Sequence, residues 1–433
     1  MSDSLDTSPD TSLDTSLDTS LDRATLDDVE RRLAAHDRHL EQAYPGDDGT
    51  RQPVHTVYVP AHRYTAGLAE EWGAQARKAL AAQGVGALLD AAAVRADLRD
   101  DVAARVEAKL AAEPIEDLRI DLEDGYGDHP DADEDAVTVA AARALRTELD
   151  DGRATPFVGI RFKCFEKPTR ARGLRTLDLF LSTLARSGDL PEGLVVTLPK
   201  VTAVAQVEAM VAVCERIERA TGLPGRRLRF EVQVETPQSI LDAAGTATVA
   251  RMIHAGDGRV SGLHYGTYDY SASLGIAAAY QSMEHPAADL AKEVMQLAAA
   301  GTGVRLSDGS TNVLPLGDDA QVRAAWRNHG RLVRRSLERG FYQGWDLHPA
   351  QLPSRFAATY AFYRDGFEPA ARRLHDYVNQ VSGAVLDEPA TARALAWYLK
   401  RGLDCGALGA DELTGATGLT PAELTAMVVP SAD

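Results

Sequence analysis

Cysteine is scarce in this chain. The 433 residues contain three, Cys164, Cys214 and Cys405, which lie far apart with no CxxC spacing. A disulfide framework needs several closely spaced cysteines, and a structural zinc site needs paired ligands, so neither kind of scaffold is expected. A reducing compartment, the cytoplasm, is the corresponding expectation for localisation.

Long apolar runs and excess basic charge are also lacking. No uninterrupted apolar run approaches the roughly 20 residues that a membrane-spanning helix needs, and no basic segment followed by an apolar one opens the chain. The formal net charge of -18 argues against nucleic acid or an anionic membrane as the main partner. A hydrophobic content of 45% over 433 residues nevertheless permits a large core.

The first residues form a low-complexity repeat. Residues 4–22 read SLDT, SPDT, SLDT, SLDT and SLD, a pattern that is acidic and poor in large apolar side chains. Because such a segment cannot bury enough surface to offset the entropy of ordering, residues 1–24 are predicted to be a disordered tail. A helix over 25–43 is predicted next, since apolar residues recur there at roughly helical spacing.

From residue 54 on, short apolar runs alternate with Ala- and Leu-rich helical stretches. The runs predicted as strands are 55–60, 117–122, 157–162, 194–200, 230–235, 260–265, 303–306 and 344–348. Eight strand and helix units over about 300 residues favour an α/β fold of the (β/α)8 TIM barrel type over an open sheet. The predicted domains are the tail at 1–24, the barrel with its amino-terminal helix at 25–367, and a helical carboxy-terminal extension at 368–433.

The stretch 229–275 carries the clearest chemical signal. One strand within it alternates with period two and ends at Glu235, and Thr236 and Pro237 follow as an N-cap and a first-turn proline for a helix. The next strand leads through GTYD to Asp269. Two carboxylates at the carboxyl ends of consecutive strands are a usual way to hold a hard divalent cation. Glu235 and Asp269 are therefore the candidate metal ligands.

Polar residues also stand at the ends of the other predicted strands from the second to the eighth. In a barrel these ends converge on one mouth, where active sites lie, whereas an unrelated set of polar residues would be scattered along the strands. The whole set is Asp121, Glu123, Asp124, Arg161, Lys200, Glu235, Asp269, Asp308 and His348.

Six short motifs give the chain a recognisable order. They are YVP at 58–60, IDLEDG at 120–125, LPKV at 198–201, VET at 234–236, GTYD at 266–269 followed by LG at 274–275, and GF at 340–341 followed by LHPAQ at 347–351. In this order they resemble the citrate lyase beta-subunit-like proteins and the HpcH/HpaI aldolases, a branch of the pyruvate and phosphoenolpyruvate barrel superfamily. The resemblance covers about residues 54–367, and it rests on six motifs in sequence rather than on any one of them.

The resemblance implies a lyase, dependent on Mg²⁺ or alternatively Mn²⁺, that makes or breaks a carbon–carbon bond next to a carbonyl. In this sequence Glu235 and Asp269 match the metal ligands, and Arg161 matches the arginine that grips a substrate carboxylate. Glu123 and Asp124 match the acidic turn beside the metal waters. Cleavage of this kind generates an enolate, which a divalent ion bridging the oxygens of a 2-oxo acid stabilises. The resemblance also implies a homo-oligomer, a trimer or hexamer.

Several of these residues have alternative interpretations. Asp269 could cap the next helix, although its pairing with Glu235 favours metal ligation. Asp121 either forms a structural ion pair at the barrel wall or belongs to the site. Arg161 either binds an anion, which is favoured, or forms a purely structural pair, since its burial without a partner would be costly. Lys200 is predicted to make a salt bridge or a substrate contact rather than a Schiff base, because acidic neighbours keep it protonated.

Three further polar residues receive structural interpretations. His62 is predicted to be a surface-loop histidine rather than a proton shuttle. Asp308 is predicted to support the mouth or to cap a turn before Gly309, and His348 to be part of the structure of the mouth. The sequence therefore names no general base.

Substrate identity stays open because the chain departs from the family pattern. The family carries a small residue and a glycine after Glu-Thr, whereas this chain reads ETPQS at 235–239. Residues 277–285 look irregular, and no family counterpart is recognised beyond about 367. The leading prediction is a lyase or aldolase acting on a 2-oxo acid or an acyl-CoA adduct. The alternatives are a malate-synthase-like condensation of glyoxylate with an acetyl donor, and a catalytically silent barrel with a regulatory or assembly role.

Overall fold

The computed structural model describes residues 20–380 and 388–429. Its contacts separate a short unit, made of the described residues up to Pro45, from the unit that begins at Gly46. Helix α1, Arg23–Ala43, makes up most of the short unit, and Asp22 caps it by accepting a hydrogen bond from the Thr25 amide at 2.8 Å. The predicted helix is therefore confirmed, but it begins at Arg23, inside the tail predicted to be disordered over 1–24, because Asp22 caps it there. The disorder predicted for residues 1–19 lies outside the described residues.

Eight parallel strands form the centre of the larger unit. Their order around the sheet is β7, β6, β5, β4, β3, β2, β1, β8, and an isolated parallel bridge between Ser307 and Gln343 links β7 to the residue before β8. The predicted (β/α)8 barrel is therefore confirmed. The strands are β1 His55–Pro60, β2 Asp117–Asp121, β3 Phe157–Arg161, β4 Val196–Leu198, β5 Phe230–Val234, β6 Val260–Tyr265, β7 Arg305–Ser307 and β8 Gly344–Asp346.

Helices occupy the connections between the strands. In chain order they are α2 Leu68–Gln83, α3 Val85–Ala91, α4 Arg99–Ala112, α5 Asp131–Asp150, α6 Arg170–Arg186, α7 Val204–Thr221, α8 Pro237–Ile240, α9 Thr248–Ala255, α10 Thr267–Ser273, α11 Pro286–Ala299 and α12 Asp319–Glu338. Single 3₁₀ turns lie at Ala61–Arg63, Ala96–Leu98, Ala278–Tyr280 and Pro349–Gln351. As the sequence predicts, Thr236 caps α8 and Pro237 is its first residue.

Alternate residues of a strand lie in the hydrophobic core outside the barrel and on the face that lines its inside. In β2, Leu118 and Ile120 are buried in the hydrophobic core, while Asp117, Arg119 and Asp121 make polar contacts with residues of other strands. Successive side chains of a strand point to opposite faces, so the polar residues share the face that lines the inside of the barrel. TIM barrels usually fill this space with branched apolar side chains, and here charged side chains fill part of it.

A cluster of buried charged side chains from β2 and β5 lies inside the barrel, below the carboxyl ends of the strands. Arg119 donates to Asp117 at 2.7 Å and to Glu231 at 2.9 Å, and its Nε also donates to Thr197 Oγ1 at 3.1 Å. His264 Nε2 lies 2.9 Å from Glu231. Burial would raise the pKa of Glu231, but the Arg119 guanidinium and the His264 ring hold it below its usual range. Each buried carboxylate therefore has a cation or hydrogen-bond donor within reach.

Six strands are shorter than predicted, namely β2, β3, β4, β5, β7 and β8, which ends at Asp346 rather than at 348. Two of these differences have identifiable reasons. The predicted strand 194–200 shortens to β4, because Pro199 has no amide hydrogen to continue the ladder and Lys200 adopts a positive φ of 50°. The predicted strand 303–306 begins later, at Arg305, because Gly303 has a φ of 74°. A left-handed backbone cannot continue a strand.

The carboxy-terminal region packs around its own core. It comprises α13 Leu352–Val378, α14 Pro389–Asp404, α15 Ala410–Thr417 and α16 Pro421–Val428. Buried residues from α13 onward, including Phe367, Leu399 and Leu424, form a second hydrophobic cluster. The predicted domain boundary at 367/368 falls inside α13. That helix continues through Pro369.

The length of the helices and the state of the three cysteines can be compared with what the sequence predicts. No helix in the described ranges 20–380 and 388–429 is long and apolar enough to cross a membrane. Cys164, Cys214 and Cys405 are buried as free thiols. Burial raises the pKa of the Cys214 thiol to about 12, which leaves it a poor nucleophile at neutral pH.

A buried histidine behind β8 is expected to make stability depend on pH. Burial lowers the pKa of His329, although its Nε2 lies 3.1 Å from Asp346 Oδ1, which raises it. The unfolded chain therefore binds this proton more readily than the folded one, so stability falls as pH drops below the unfolded value of about 6.5. We expect His329→Gln to remove this slope, which is at most about 1.4 kcal/mol per pH unit.

Urea unfolding at a series of pH values from 8 to 5 measures this slope. The exposed His36 of α1 provides the control, because His36→Gln should leave the pH dependence as in the parent protein. An unchanged slope in His329→Gln would contradict the assignment.

Candidate active site

The carboxyl ends of β2 to β6 bring five polar residues of the predicted set to one mouth of the barrel. Glu123 follows β2, Arg161 ends β3 and Lys200 follows β4. Glu235 follows β5, and Asp269 lies in the first turn of α10, directly after β6. The Lys200 ammonium contacts Glu123 and Asp269, the Lys200 backbone amide donates to Glu235, and Arg161 lies near Glu123. The sequence prediction that these residues converge is therefore matched by the geometry, while their chemical roles remain predictions.

Glu235 is held rigidly at the bottom of the mouth. It is buried, with Oε1 accepting a hydrogen bond from the backbone amide of Lys200 at 2.8 Å. Its Oε2 accepts a hydrogen bond from the Gln233 side-chain amide at 2.8 Å. Thr236 fixes the chain beyond it by donating from its hydroxyl to the Val201 carbonyl at 2.6 Å. The carboxylate is thus oriented from two sides and cannot swing out to solvent.

Asp269 approaches the same space from α10. Its Oδ2 lies 3.4 Å from Lys200 Nζ, and about half of its side chain is exposed. Gly266 is the N-cap residue of this helix, so Asp269 is not the cap that the alternative interpretation supposed. A Cβ at Gly266 would stand 2.5 Å from Glu235 Cβ, so only glycine permits β6 to run this close to Glu235.

The Lys200 ammonium stands between the carboxylates. Its Nζ lies 2.6 Å from Glu123 Oε1 and 2.5 Å from Asp124 Oδ2, in addition to its contact with Asp269. Burial alone would lower the pKa of Lys200, but the charges of Glu235 and Glu123 raise it above its usual range. A protonated ammonium is not a nucleophile, so the geometry favours the predicted salt bridge over a Schiff base.

Asp121 holds the Arg161 side chain through two hydrogen bonds, and the remaining terminal nitrogen, Nη1, lies on the side of Glu123. Its Nε and Nη2 donate to the two oxygens of Asp121 at 2.8 and 2.6 Å, and its Nη1 lies 3.6 Å from Glu123 Oε2. The guanidinium carbon lies 4.7 Å from the centre of the Tyr58 ring. The predicted ion pair of Asp121 is therefore present, inside the barrel. Recognition of a substrate carboxylate by Arg161 stays a prediction.

The remaining residues of the predicted set have structural contacts. Asp308 accepts hydrogen bonds from Gly309 N at 2.8 Å and from the Lys292 ammonium at 3.0 Å, and it is fully buried. His348 Nδ1 accepts from the Ala350 amide at 3.1 Å and caps a 3₁₀ turn. These contacts agree with the structural roles expected for both residues.

His62 lies in the 3₁₀ turn after β1 and is exposed. Its ring centre lies 5.7 Å from that of Tyr126, which agrees with a surface-loop histidine. Its other ring contact is with His129, at 6.5 Å between ring centres.

Three residues of the mouth were not singled out from the sequence. Gln233 orients Glu235, Gly266 permits its close approach to β6, and Tyr58 packs under Arg161. Gln233 and Tyr58 could have been found by extending the period-two alternation along β5 and β1, because they share the inner face with Glu235 and Thr56. Gly266 gives no such signal, since its role depends on the distance between two strands.

The chemistry of these carboxylates fits a hard cation. Burial raises the pKa of Glu235, and the nearby Glu123 and Asp269 carboxylates raise it further against the opposing charge of Lys200. Burial also raises the pKa of Glu123, against the effect of Arg161. The group is therefore short of positive charge, and its exposed side is open to an ion with oxygen ligands.

No complete metal cage is preformed. In the part of the chain that the structure describes, no three or more His, Cys, Asp and Glu side chains are arranged to hold a metal ion by themselves. Mg²⁺ commonly takes one or two protein carboxylates and completes its octahedron with water and substrate oxygens. Glu235 and Asp269 would supply such a pair.

A family model described as "Domain of unknown function (DUF6986)" matches residues 33–431. The chain belongs to this family. The match covers the barrel and the described helices of the carboxy-terminal region, so the DUF6986 family includes both. No curated protein matches the sequence.

Solved structures place this DUF6986 protein among known barrels. A citrate lyase from Burkholderia xenovorans LB400 has 19% sequence identity and a TM-score of 0.54, over 88% of this chain and 97% of that one. CitE from Mycobacterium tuberculosis, in complex with magnesium, acetoacetate and coenzyme A, has 19% identity and a TM-score of 0.46, over 83% and 99%. Haloferax volcanii malate synthase in a magnesium and glyoxylate complex has 13% identity and a TM-score of 0.47, over 88% and 98%. The first similarity confirms, for the fold, the resemblance given by the motifs.

Proposed function

We propose that this DUF6986 protein is a Mg²⁺-dependent carbon–carbon lyase or aldolase acting on a 2-oxo acid or an adduct of one. The observation that supports the proposal is the set of carboxylates at the mouth of the barrel, where Glu123 and Asp269 contact the Lys200 ammonium and Glu235 accepts a hydrogen bond from the Lys200 backbone amide. Active sites of TIM barrels lie at this end. The order of the sequence motifs supports the same reaction class.

Glu235 and Asp269 would hold the ion, with Glu123 and Asp124 beside its water ligands. Bound there, Mg²⁺ supplies positive charge that stabilises the negative charge developing on the oxygens of a 2-oxo acid. Gln233 fixes the orientation of Glu235 through its 2.8 Å hydrogen bond, so this ligand does not have to reorganise.

Arg161 is suited to the carboxylate of the substrate. Asp121 occupies its Nε and Nη2, which locks the plane of the guanidinium. The Nη1 edge remains on the Glu123 side, toward the carboxylates that would hold the ion. A fixed N–H donor at this place would orient a 2-oxo acid with its keto oxygen toward Glu235 and Asp269.

Lys200 would adjust the charge of the site. Its ammonium neutralises part of the negative charge of Glu123 and Asp124, whose oxygens lie 2.6 and 2.5 Å from Nζ. The four-carbon side chain of lysine is flexible. The ammonium would therefore be able to turn toward a substrate oxygen once a divalent ion neutralises the carboxylates. Lys200 therefore acts as a substrate contact in this proposal and forms no covalent bond.

The bond changes balance without a redox partner. In the cleavage direction a hydroxyl of the adduct loses its proton and becomes a carbonyl, and the adjacent carbon–carbon bond breaks. The electron pair of that bond passes to the carbon next to the 2-oxo acid carbonyl, which gives an enolate. This carbon then takes up one proton and the 2-oxo acid is released. The protein must therefore stabilise an enolate, which is the charge that the mouth is built to neutralise.

Exchange of hydrogen for deuterium tests enolate formation without knowledge of the second substrate. Pyruvate and 2-oxobutyrate are incubated in D2O with the protein and Mg²⁺, and loss of the C3 proton signal is followed by NMR. We expect exchange that requires the protein and stops when the metal is chelated. Absence of Mg²⁺-dependent exchange with both acids would contradict the proposed enolate chemistry and favour a silent barrel or a condensing enzyme of the malate synthase type.

Arg161→Lys is expected to weaken 2-oxo acid binding by about tenfold to a hundredfold, because an ammonium cannot keep the two Asp121 contacts and offer a third donor in a fixed plane. The measurement is the pyruvate concentration at half-maximal exchange. Arg175→Lys is the matched control, since Arg175 also holds an aspartate, Asp135, with two donors, but at the surface. A half-maximal concentration for Arg161→Lys within twofold of the parent would rule out this role.

A further inference from the structure

A second polar cavity lies at the opposite end of the barrel from the mouth. Its volume is about 440 Å³, and residues at or just before the amino ends of β2, β3, β5 and β7 line it, together with the segment 48–53. This volume lies within the range of small-molecule sites. The carboxyl ends of the same strands carry the candidate active site, so the two sites are separated by the length of the barrel interior.

Five arginines and four carboxylates line this basal cavity. Two of the arginines are neutralised directly: Arg119 by Asp117 and Glu231, and Arg51 by Glu113 and Glu116. The acidic partners of these two arginines are therefore already engaged.

None of the other three arginines has two carboxylates in direct contact with its guanidinium. Arg227 donates to the backbone carbonyls of Leu190 at 2.8 Å and Pro191 at 2.6 Å, which position the guanidinium but do not cancel its charge. Arg229 is exposed, and its guanidinium makes no hydrogen bond or ion pair with any residue in 20–380 or 388–429, although its charge helps to lower the pKa of Asp48. The carboxylate of Glu192, which also lines the cavity, has no such contact either.

Arg305 is the most constrained of the three. It donates to the carbonyls of Arg51 at 2.6 Å and Thr50 at 2.9 Å, and its closest carboxylate, Asp48, is 3.6 Å away. Burial lowers the pKa of this guanidinium, against the effect of Asp47 and Asp48, and the nearby charge of Arg229 lowers it further. A partly buried cation in this state gains free energy when an additional anion comes within reach.

A buried histidine at the inner wall of the cavity also has unused hydrogen-bonding capacity. His264 is 3% exposed, and its Nε2 is engaged with Glu231 at 2.9 Å. Its Nδ1 is buried and has no hydrogen-bond partner among the described residues. Buried polar atoms are nearly always paired, so this nitrogen has room for a partner such as an ordered water, while Nε2 holds the ring against Glu231.

We propose that the basal cavity binds a compact multivalent anion, of the phosphate or polycarboxylate class, through Arg227, Arg229 and Arg305. Guanidinium groups recognise the oxygens of both ligand types with directed pairs of hydrogen bonds. The ligand would supply negative charge to three guanidinium groups whose nearest carboxylate, Asp48, lies 3.6 Å from Arg305. This site does not depend on the proposed lyase activity.

Calorimetric titration of the full chain with inorganic phosphate, pyrophosphate and citrate tests the proposal. The protein carries Asp269→Asn and is kept metal-free, so that binding at the mouth does not contribute. We expect saturable binding of at least one of the three anions, and the anion that binds distinguishes a phosphate ligand from a polycarboxylate one.

Arg229→Ala is the decisive variant, because Arg229 is exposed and carries no contact that the fold needs. It should weaken the binding about tenfold, the effect of one charge-assisted hydrogen bond. Arg226→Ala is the matched control. It removes the same charge three residues away, where Arg226 is paired with Asp257 outside the cavity, and it should change affinity less than twofold.

Arg229→Lys should recover part of the loss, because it restores the charge without the planar donor. Lack of saturable binding of all three anions would overturn the proposal. Equal weakening by Arg226→Ala and Arg229→Ala would also overturn it, because it would reduce the effect to general charge attraction.

Discussion

Glu235→Gln and Asp269→Asn are each expected to lower the rate of Mg²⁺-dependent C3 exchange in pyruvate by at least about a thousandfold. Each change removes one anionic oxygen ligand while keeping the size of the side chain. The ion would then be held by a single carboxylate, and the charge of the enolate would lose its main stabilisation. The measurement is the initial exchange rate by NMR at saturating Mg²⁺.

The fold of these variants should be unaffected or slightly more stable. Glu235 is buried among other carboxylates, and burial raises its pKa, so a neutral amide removes an unfavourable charge from the metal-free protein. Glu215→Gln and Asp257→Asn on the outer surface are the matched controls, and both should exchange at the parent rate. Retention of a tenth or more of the parent rate by either site variant would exclude Glu235 and Asp269 as the metal pair.

Arg119→Met is expected to reduce the free energy of unfolding by about 3–5 kcal/mol, the cost of breaking a buried ion pair by removing one partner. The variant leaves Asp117 and Glu231 inside the barrel without their guanidinium. Burial already raises the pKa of Asp117 even with Arg119 in place, so its carboxylate depends strongly on this cation. Urea unfolding at pH 7 measures the loss.

Two companions make this result specific. Arg219→Met removes an exposed arginine of α7 whose partner is Glu215, and a surface pair of this kind contributes less than about 1 kcal/mol. Combining Arg119→Met with Asp117→Asn and Glu231→Gln removes the uncompensated charges and should restore part of the stability. A loss below about 1 kcal/mol for Arg119→Met alone would show that water or rearranged neighbours already solvate the cluster.

The barrel was predictable because its strands alternate in a way that a linear sequence reveals. In β2 the alternation of polar and apolar residues, Asp, Leu, Arg, Ile, Asp, indicates which side chains face the core and which face the inside of the barrel. The prediction of the mouth followed from the same rule, since parallel strands end at one side. Glu235 and Asp269 could be placed near each other before any distance was known.

Other features depend on geometry that no local pattern contains. The position of the Lys200 ammonium among three carboxylates is set by a left-handed backbone at that residue, after a proline that ends β4. Gly266 matters because a Cβ at this position would stand 2.5 Å from the Cβ of Glu235, which is distant in the sequence. Helix α13 continues through Pro369, because burial of Phe367 and Leu374 in the second hydrophobic cluster outweighs the local preference to end a helix.

The basal cavity shows the same limit from the other end of the barrel. Arg227, Arg229 and Arg305 lie in two separate sequence segments, and nothing in those segments distinguishes them from ordinary surface arginines. Their significance emerges only when their partners are known, because the guanidinium groups of Arg227 and Arg305 donate to carbonyl groups and that of Arg229 has no hydrogen-bond partner among the described residues. Net charge also gave no hint, since a chain with a charge of -18 can still contain a cationic cavity.

Calorimetric titration of the metal-stripped protein with Mg²⁺, followed by pyruvate, oxaloacetate and glyoxylate, tests the central claim most directly. The proposal predicts that Mg²⁺ binds, that at least one 2-oxo acid binds only when the metal is present, and that both signals disappear in Asp269→Asn. Binding of a 2-oxo acid that is equally strong without metal, or no binding of Mg²⁺ at all, would contradict a metal-stabilised enolate site between Glu235 and Asp269.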